Sequence, residues 1–253
     1  MLTRIYHVTY YLDIRSAYFQ FAGCNFSCPW CIRRLTPWDH HLDSRTLASL
    51  RAGGFLSLRA FQEVADKLVS DGMEEAVLGG EEPTVDDALP AVIRHLAGRA
   101  RVRLLTNAYR LTAELLDELR RCATCEVVVS IKTLDAEKHR EYTGKPLEPV
   151  LRNISALVEA GVRTLFETVL IPGLNGPEGV ERIAKYLREN VGDAVLIIDP
   201  LIPVPGTGWR RPTEEELRDA VERAQRYVAV RMHGEGRRSR SVVVYPSQLL
   251  HKA

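Results

Sequence analysis

Six short apolar runs, each followed by a segment of helical periodicity, constrain the fold of this 253-residue chain more than any other feature. The runs are residues 16–22 (SAYFQFA), 75–80 (EAVLGG), 101–107 (RVRLLTN), 125–131 (CEVVVSI), 164–173 (TLFETVLIPG) and 194–200 (AVLIIDP). After the first of them, Phe61, Val64, Ala65 and Leu68 recur at three and four, a spacing that gathers side chains on one face only in a helix. Gly161 stands where another helix would be capped, and Thr213-x-x-Glu216 reads as a capping box opening a last long helix. Six β/α alternations predict an α/β fold with a parallel sheet and right-handed crossovers. Six units are too few for a closed eightfold barrel, which leaves a partial (β/α)6 TIM-like barrel or an open doubly wound sheet. No linker or shorter repeat interrupts the pattern, so residues 1–253 read as a single domain, its core at about 14–230.

Composition excludes some functions. A net charge of +1 with 26% charged residues argues against a polyanion binder, so no nucleic-acid partner is expected. The N-terminal residues are interrupted by charges and no run approaches a membrane-spanning length, so a cytoplasmic protein without a membrane partner is expected. The two longest irregular stretches, 32–58 and 200–212, follow the C-terminal ends of predicted strands, where α/β folds build their sites. The first carries Trp38, His40 and His41 and the second Trp209, Arg210 and Arg211, and the two are expected to flank one mouth.

Three of the five cysteines, Cys24, Cys28 and Cys31, fall within eight residues at C-x3-C-x2-C spacing. In a reducing compartment such a cluster is more often a metal site than a disulfide framework. Thiolates hold zinc and iron–sulfur clusters alike. A structural zinc would want four ligands, and only His40 or His41, outside any finger-like spacing, could complete the set. A [4Fe-4S] cluster held by three cysteines leaves one iron open to a small molecule. Cys122 and Cys125 supply too few ligands for a second cluster and lie opposite the predicted catalytic loops, as buried thiols or a disulfide.

The triplet, with Trp30 before its last cysteine, resembles the signature of the radical S-adenosylmethionine (radical SAM) superfamily. LGGEEPT (78–84) is similar to that superfamily's Gly-Gly-Glu-Pro segment, and LLTNAY (104–109) to its Thr-Asn-Gly stretch. The resemblance implies a [4Fe-4S] cluster on Cys24, Cys28 and Cys31. It implies S-adenosylmethionine bound among Gly79, Gly80, Glu81, Glu82, Thr106 and Asn107, with Trp30 beside the cluster or the adenine, or purely structural. An electron donor such as flavodoxin or ferredoxin follows as a partner.

A narrower likeness to pyruvate formate-lyase activating enzymes rests on IRSAYFQFAGCNFSCPWC, SIKTLDAEKHREYTG and VLIPGLNG. Two departures accompany it: an extra acidic residue leaves Glu81 and Glu82 both eligible for the SAM amino group, and Ser130 replaces the activases' Asp. Lys132, one pleat beyond Ser130, would reach the SAM carboxylate from the same face. His139 reads as a solvent-facing helix residue. The resemblance therefore implies an oxidoreductase that makes a 5′-deoxyadenosyl radical, acting as a glycyl-radical activase on a protein or peptide. The alternatives are a radical SAM enzyme for a small molecule in cofactor or nucleoside biosynthesis, and a zinc-binding interaction module.

Overall fold

The computed structural model describes residues 1–232 and 239–246. The chain opens with β1 (Ile5–Tyr11), which turns back on β2 (Ser16–Phe21) as an antiparallel hairpin. A short helix α1 (Ser44–Ser49), capped by Asp43, and the longer α2 (Leu58–Ser70), capped by Ser57, lead to β3 (Glu75–Gly80). Then α3 (Leu89–Leu96), β4 (Arg101–Thr106), α4 (Ala113–Arg121) and β5 (Cys125–Ser130) alternate. Two helices, α5 (Ala136–Thr143) and α6 (Glu148–Glu159), precede β6 (Thr164–Leu170). The chain continues as α7 (Pro177–Asn190), β7 (Val195–Pro200), α8 (Glu214–Ala224), β8 (Ala229–Met232) and β9 (Ser241–Tyr245).

Strands β2 to β8 form a continuous parallel array, and the sheet order β8-β7-β6-β5-β4-β3-β2-β1-β9 leaves it unclosed. The fold is thus a partial TIM-like barrel, with an unforeseen antiparallel hairpin strand β1 and a further parallel strand β8. Strand β1 escaped the pattern because a register shift between Ile5 and His7 breaks its alternation. The capping box at Thr213 forms as expected.

Register divides the sheet into two faces. Ala17, Phe19, Ala76, Leu78, Leu104, Val127, Val129, Phe166, Leu196 and Ile198 point into the main core. The other face is far more polar: Tyr18 pairs with Val77, Gln20 with Gly79, Ser130 with Glu167, and on β1 Thr9 with Tyr18 and His7 with Gln20. This is the lumen of the partial barrel. At the N-terminal ends of the strands it carries an ion-pair ladder, in which Arg103 bridges Glu75 (3.3 Å) and Glu126 (3.1 Å) and Arg163 meets Glu126 at 2.9 Å. The C-terminal ends are left for chemistry.

Candidate active site

The cysteine loop, residues 22–31, leaves the C-terminal end of β2 and is held from three sides. From β3, the Glu81 carboxylate accepts the Gly23 amide at 2.6 Å and the Glu82 amide donates to the Gly23 carbonyl at 3.0 Å. From the end of β4, Asn107 Nδ2 donates to Asn25 Oδ1 at 2.7 Å and approaches Cys24 Sγ at 3.8 Å. From α5, the Thr143 carbonyl accepts both the amide and the hydroxyl of Ser27 (3.0 and 3.2 Å). Close packing at that contact requires Gly144, whose φ is +75° and where a Cβ would lie 3.0 Å from Ser27 Oγ.

His139 is buried rather than solvent-facing. Its ring bonds the Lys145 carbonyl at 2.9 Å and meets Phe26 edge-on at 5.3 Å, while burial lowers its pKa. The activase-like His and Thr-Gly positions thus form the cradle of the cysteine loop. The amphipathic reading missed this because α5 is only eight residues long and strongly polar.

The two glutamates are not equivalent. Glu82 is 1% exposed, and its carboxylate accepts from Thr84 N, Thr84 Oγ1, Thr106 Oγ1 and Asn107 N. Burial pushes its pKa up while those four donors pull it down. Glu81 is exposed and leans on the cysteine loop. Gly79 and Gly80 make the close approach that lets these residues pass β2. At φ +102°, a Cβ on Gly80 would stand 2.9 Å from the Phe21 backbone, and one on Gly79 would stand 2.6 Å from Tyr18 Oη. That hydroxyl accepts the Gly80 amide at 2.9 Å, and burial pushes its pKa to about 12. Where the resembled motif has glycine after Thr-Asn, Ala108 takes the left-handed conformation (φ +56°), clamped by Asn153 on its carbonyl.

Across the lumen, Lys132 Nζ donates to Ser130 Oγ at 2.7 Å, and Ser130 Oγ donates to Glu167 Oε1 at 3.4 Å. Burial raises the Cys28 thiol and the Lys132 ammonium lowers it, so Lys132 shares an electrostatic neighbourhood with the cysteine loop. Sequence reasoning missed Glu167, which stands opposite Ser130 and returns a carboxylate to the place the motif comparison marked as lost. Its signal was the T-L-F-E-T alternation, which puts Glu167 on the face opposite Phe166. Asn175 was also missed. It ties the Ile171 amide, the Lys132 carbonyl and the Thr168 hydroxyl (2.9, 3.2 and 3.0 Å), fixing the turn after β6.

The aromatic residues of the two long loops have different partners. Trp209 joins Trp30 and Tyr142 (ring centroids 5.7 and 5.5 Å) over Ile171, Leu174 and Leu201, and Trp30 is buried there. Arg210 is spent on Glu216 through two hydrogen bonds of 2.8 and 2.6 Å. Trp38 packs instead against His7 and Tyr6, so the first loop lies along the lumen face of β1. The second cysteine pair forms a disulfide, Cys122–Cys125, at the N-terminal side of β5.

The donor set fits an iron–sulfur cluster better than a single ion. Zinc–sulfur bonds of about 2.3 Å would put tetrahedral thiolates about 3.8 Å apart. The three cysteine sulfurs are not among the described side-chain groups whose ligand atoms all lie within 4.8 Å of one another. Cys24 Sγ already accepts the Phe26 amide at 3.3 Å, as a ligating sulfur does, and Asn25 Nδ2 is buried without a partner beside it.

Residues 19–187 match the radical SAM superfamily. A probable GTP 3′,8-cyclase of Archaeoglobus fulgidus is 27% identical over 187 residues, covering 72% of this chain and 58% of that protein. The chain spans about half the length of the curated relatives it matches. Streptococcus suis SuiB bound to S-adenosylmethionine superposes with a TM-score of 0.68 at 15% identity, over 83% of this chain and 48% of that one. A domain of pyruvate-formate lyase-activating enzyme from Bacteroides vulgatus gives 0.51 at 20% identity, over 62% of this chain and 98% of that one.

Proposed function

Because the chain belongs to the radical SAM superfamily, whose members bind a [4Fe-4S] cluster and S-adenosylmethionine, we propose that it is a radical SAM enzyme acting on a small polar molecule. Cys24, Cys28 and Cys31 would hold the cluster. When bound, the cluster supplies one electron that splits S-adenosylmethionine into methionine and a 5′-deoxyadenosyl radical, which takes a hydrogen atom from the substrate.

The chain's own residues orient the reactants. Glu81, which is exposed and makes one internal bond where Glu82 makes four, would receive the SAM amino group, and Lys132 its carboxylate. Glu82, Thr106 and Asn107 would keep the ends of β3 and β4 in register beneath them. Trp30, Tyr142 and Trp209 would exclude water from the loop's outer side.

The observation that carries the substrate class is the polar lumen, where Tyr18, Ser130 and Glu167 face inward from three strands. Such a wall suits hydroxyls and heteroatoms, in keeping with cofactor or nucleoside chemistry of the kind named for the GTP 3′,8-cyclase relatives. The activase-like reading, with a polypeptide threaded into the barrel, has the weaker support.

The test is anaerobic reduction of the reconstituted protein with SAM and deuterated nucleotides, among them GTP. The expected outcome is methionine plus 5′-deoxyadenosine that acquires deuterium. Formation of S-adenosylhomocysteine alone would overturn the radical assignment, while deuterium transfer only from peptides would restore the polypeptide reading.

A further inference from the structure

A second cluster of ligating groups lies away from the cysteine loop, where the loop after Cys31 has descended along β1. Tyr11 pairs with Ser16, the first residue of β2, so this end of β1 lies beside the N-terminal ends of the parallel strands. There Asp39, His40 and His41 bring one ligand atom each within 4.8 Å of one another, the one such grouping among the described residues.

The geometry points to a divalent-cation site of the zinc class formed by Asp39, His40 and His41. The carboxylate is the key. Asp39 is 1% exposed, yet among the described residues no lysine or arginine comes within ion-pair distance of it, and its only such partner is His41 at 3.1 Å. A buried carboxylate without a permanent cation is costly, and a bound divalent ion removes that cost.

Its position is already fixed. Oδ2 accepts the Tyr11 hydroxyl at 2.5 Å, and Oδ1 accepts the His41 amide at 3.0 Å. The ring centroids of His40 and His41 lie 3.9 Å apart, a spacing that two protonated rings would resist, and the rings need part by only about 1 Å to share one tetrahedral ion. Two nitrogens and one oxygen match zinc, cobalt or nickel rather than calcium or magnesium. Three protein ligands leave a coordination position open on the exposed side of the histidines. The ion would pin residues 32–43 across the lumen face of β1, where Trp38 covers His7.

The proposal is independent of the cofactor assignment, and its test keeps the two apart. Cluster-loaded protein is dialysed to equilibrium against micromolar Zn2+, and zinc and iron per chain are measured together. The expected result is one zinc per chain with iron unchanged, and a melting temperature that rises with zinc concentration. His40→Ala and His41→Ala, both at exposed side chains, should each weaken zinc binding at least tenfold and abolish the thermal shift while retaining iron. Zinc uptake that both variants leave unaltered, or no uptake below about 100 μM, overturns the site. So does zinc bound only at the expense of iron.

Discussion

Thr106 donates its hydroxyl to Glu82 at 2.6 Å, and with the Asn107 amide on the other carboxylate oxygen at 2.7 Å this ties the C-terminal ends of β3 and β4 into a single piece. Removing the carboxylate leaves four buried donors without an acceptor. Glu82→Ala is expected to cost about 3 kcal/mol or more of stability in denaturant titration. Glu81→Ala should leave the denaturant midpoint almost unmoved while weakening SAM binding in isothermal titration. A reversed pattern would move the amino-binding role to Glu82.

Alanine at Cys24, Cys28 or Cys31 should each eliminate bound iron after anaerobic reconstitution, whereas Cys122→Ala and Cys125→Ala should keep it. The disulfide closes a loop of only a few residues, so its removal should cost on the order of 2 kcal/mol, read by thermal melting under non-reducing conditions. A halving of iron in either of the latter variants would contradict the separation of the two cysteine sets.

Gly79 and Tyr18 should be coupled. A Cβ at position 79 collides with Tyr18 Oη, so Gly79→Ala should be destabilising, and combining it with Tyr18→Phe should recover part of the loss. Gly80→Ala has no such remedy, because its Cβ would meet the backbone of Phe21. Additive effects at Gly79 and Tyr18 in a double-mutant cycle would show that the hydroxyl is not the obstacle.

His7 sets a pH dependence. Burial lowers its pKa to about 4, opposed by Asp39 and a backbone hydrogen bond to Tyr245 and reinforced by Arg33. The unfolded chain therefore binds a proton near pH 6.5 that the folded chain refuses until about 4, and stability falls as pH drops through that window. Between pH 6.5 and 5 the loss from this residue is on the order of 2 kcal/mol. The slope, measured by urea midpoints, should flatten in His7→Gln; an unchanged slope would assign it to other groups.

Much of the architecture was legible because a parallel sheet covered by helices writes its apolar face as short runs between helical periods. The helix that carries Phe61, Val64, Ala65 and Leu68 and the capping box at Thr213 appear where the pattern placed them. What escaped was polar or irregular: β1 carries His7, Thr9 and Tyr11 on its lumen face, and a register shift hides its alternation. At the site, spacing singled out the cysteine triplet, and the family resemblance singled out the two glycines. Division of labour between Glu81 and Glu82 was invisible, because adjacent residues on a turn differ only in what the fold brings to them. Arg210, expected beside the mouth, is held by Glu216, six residues along.

The cysteine loop is tied by Glu81, by Asn107 and by Thr143, which stand about 60, 80 and 120 residues further along the chain. Each tether is a separate handle on the loop that is not itself a cysteine. A substitution at Asn107 or Thr143 should therefore shift the cysteines together, as one rigid hairpin, and leave their chemistry untouched.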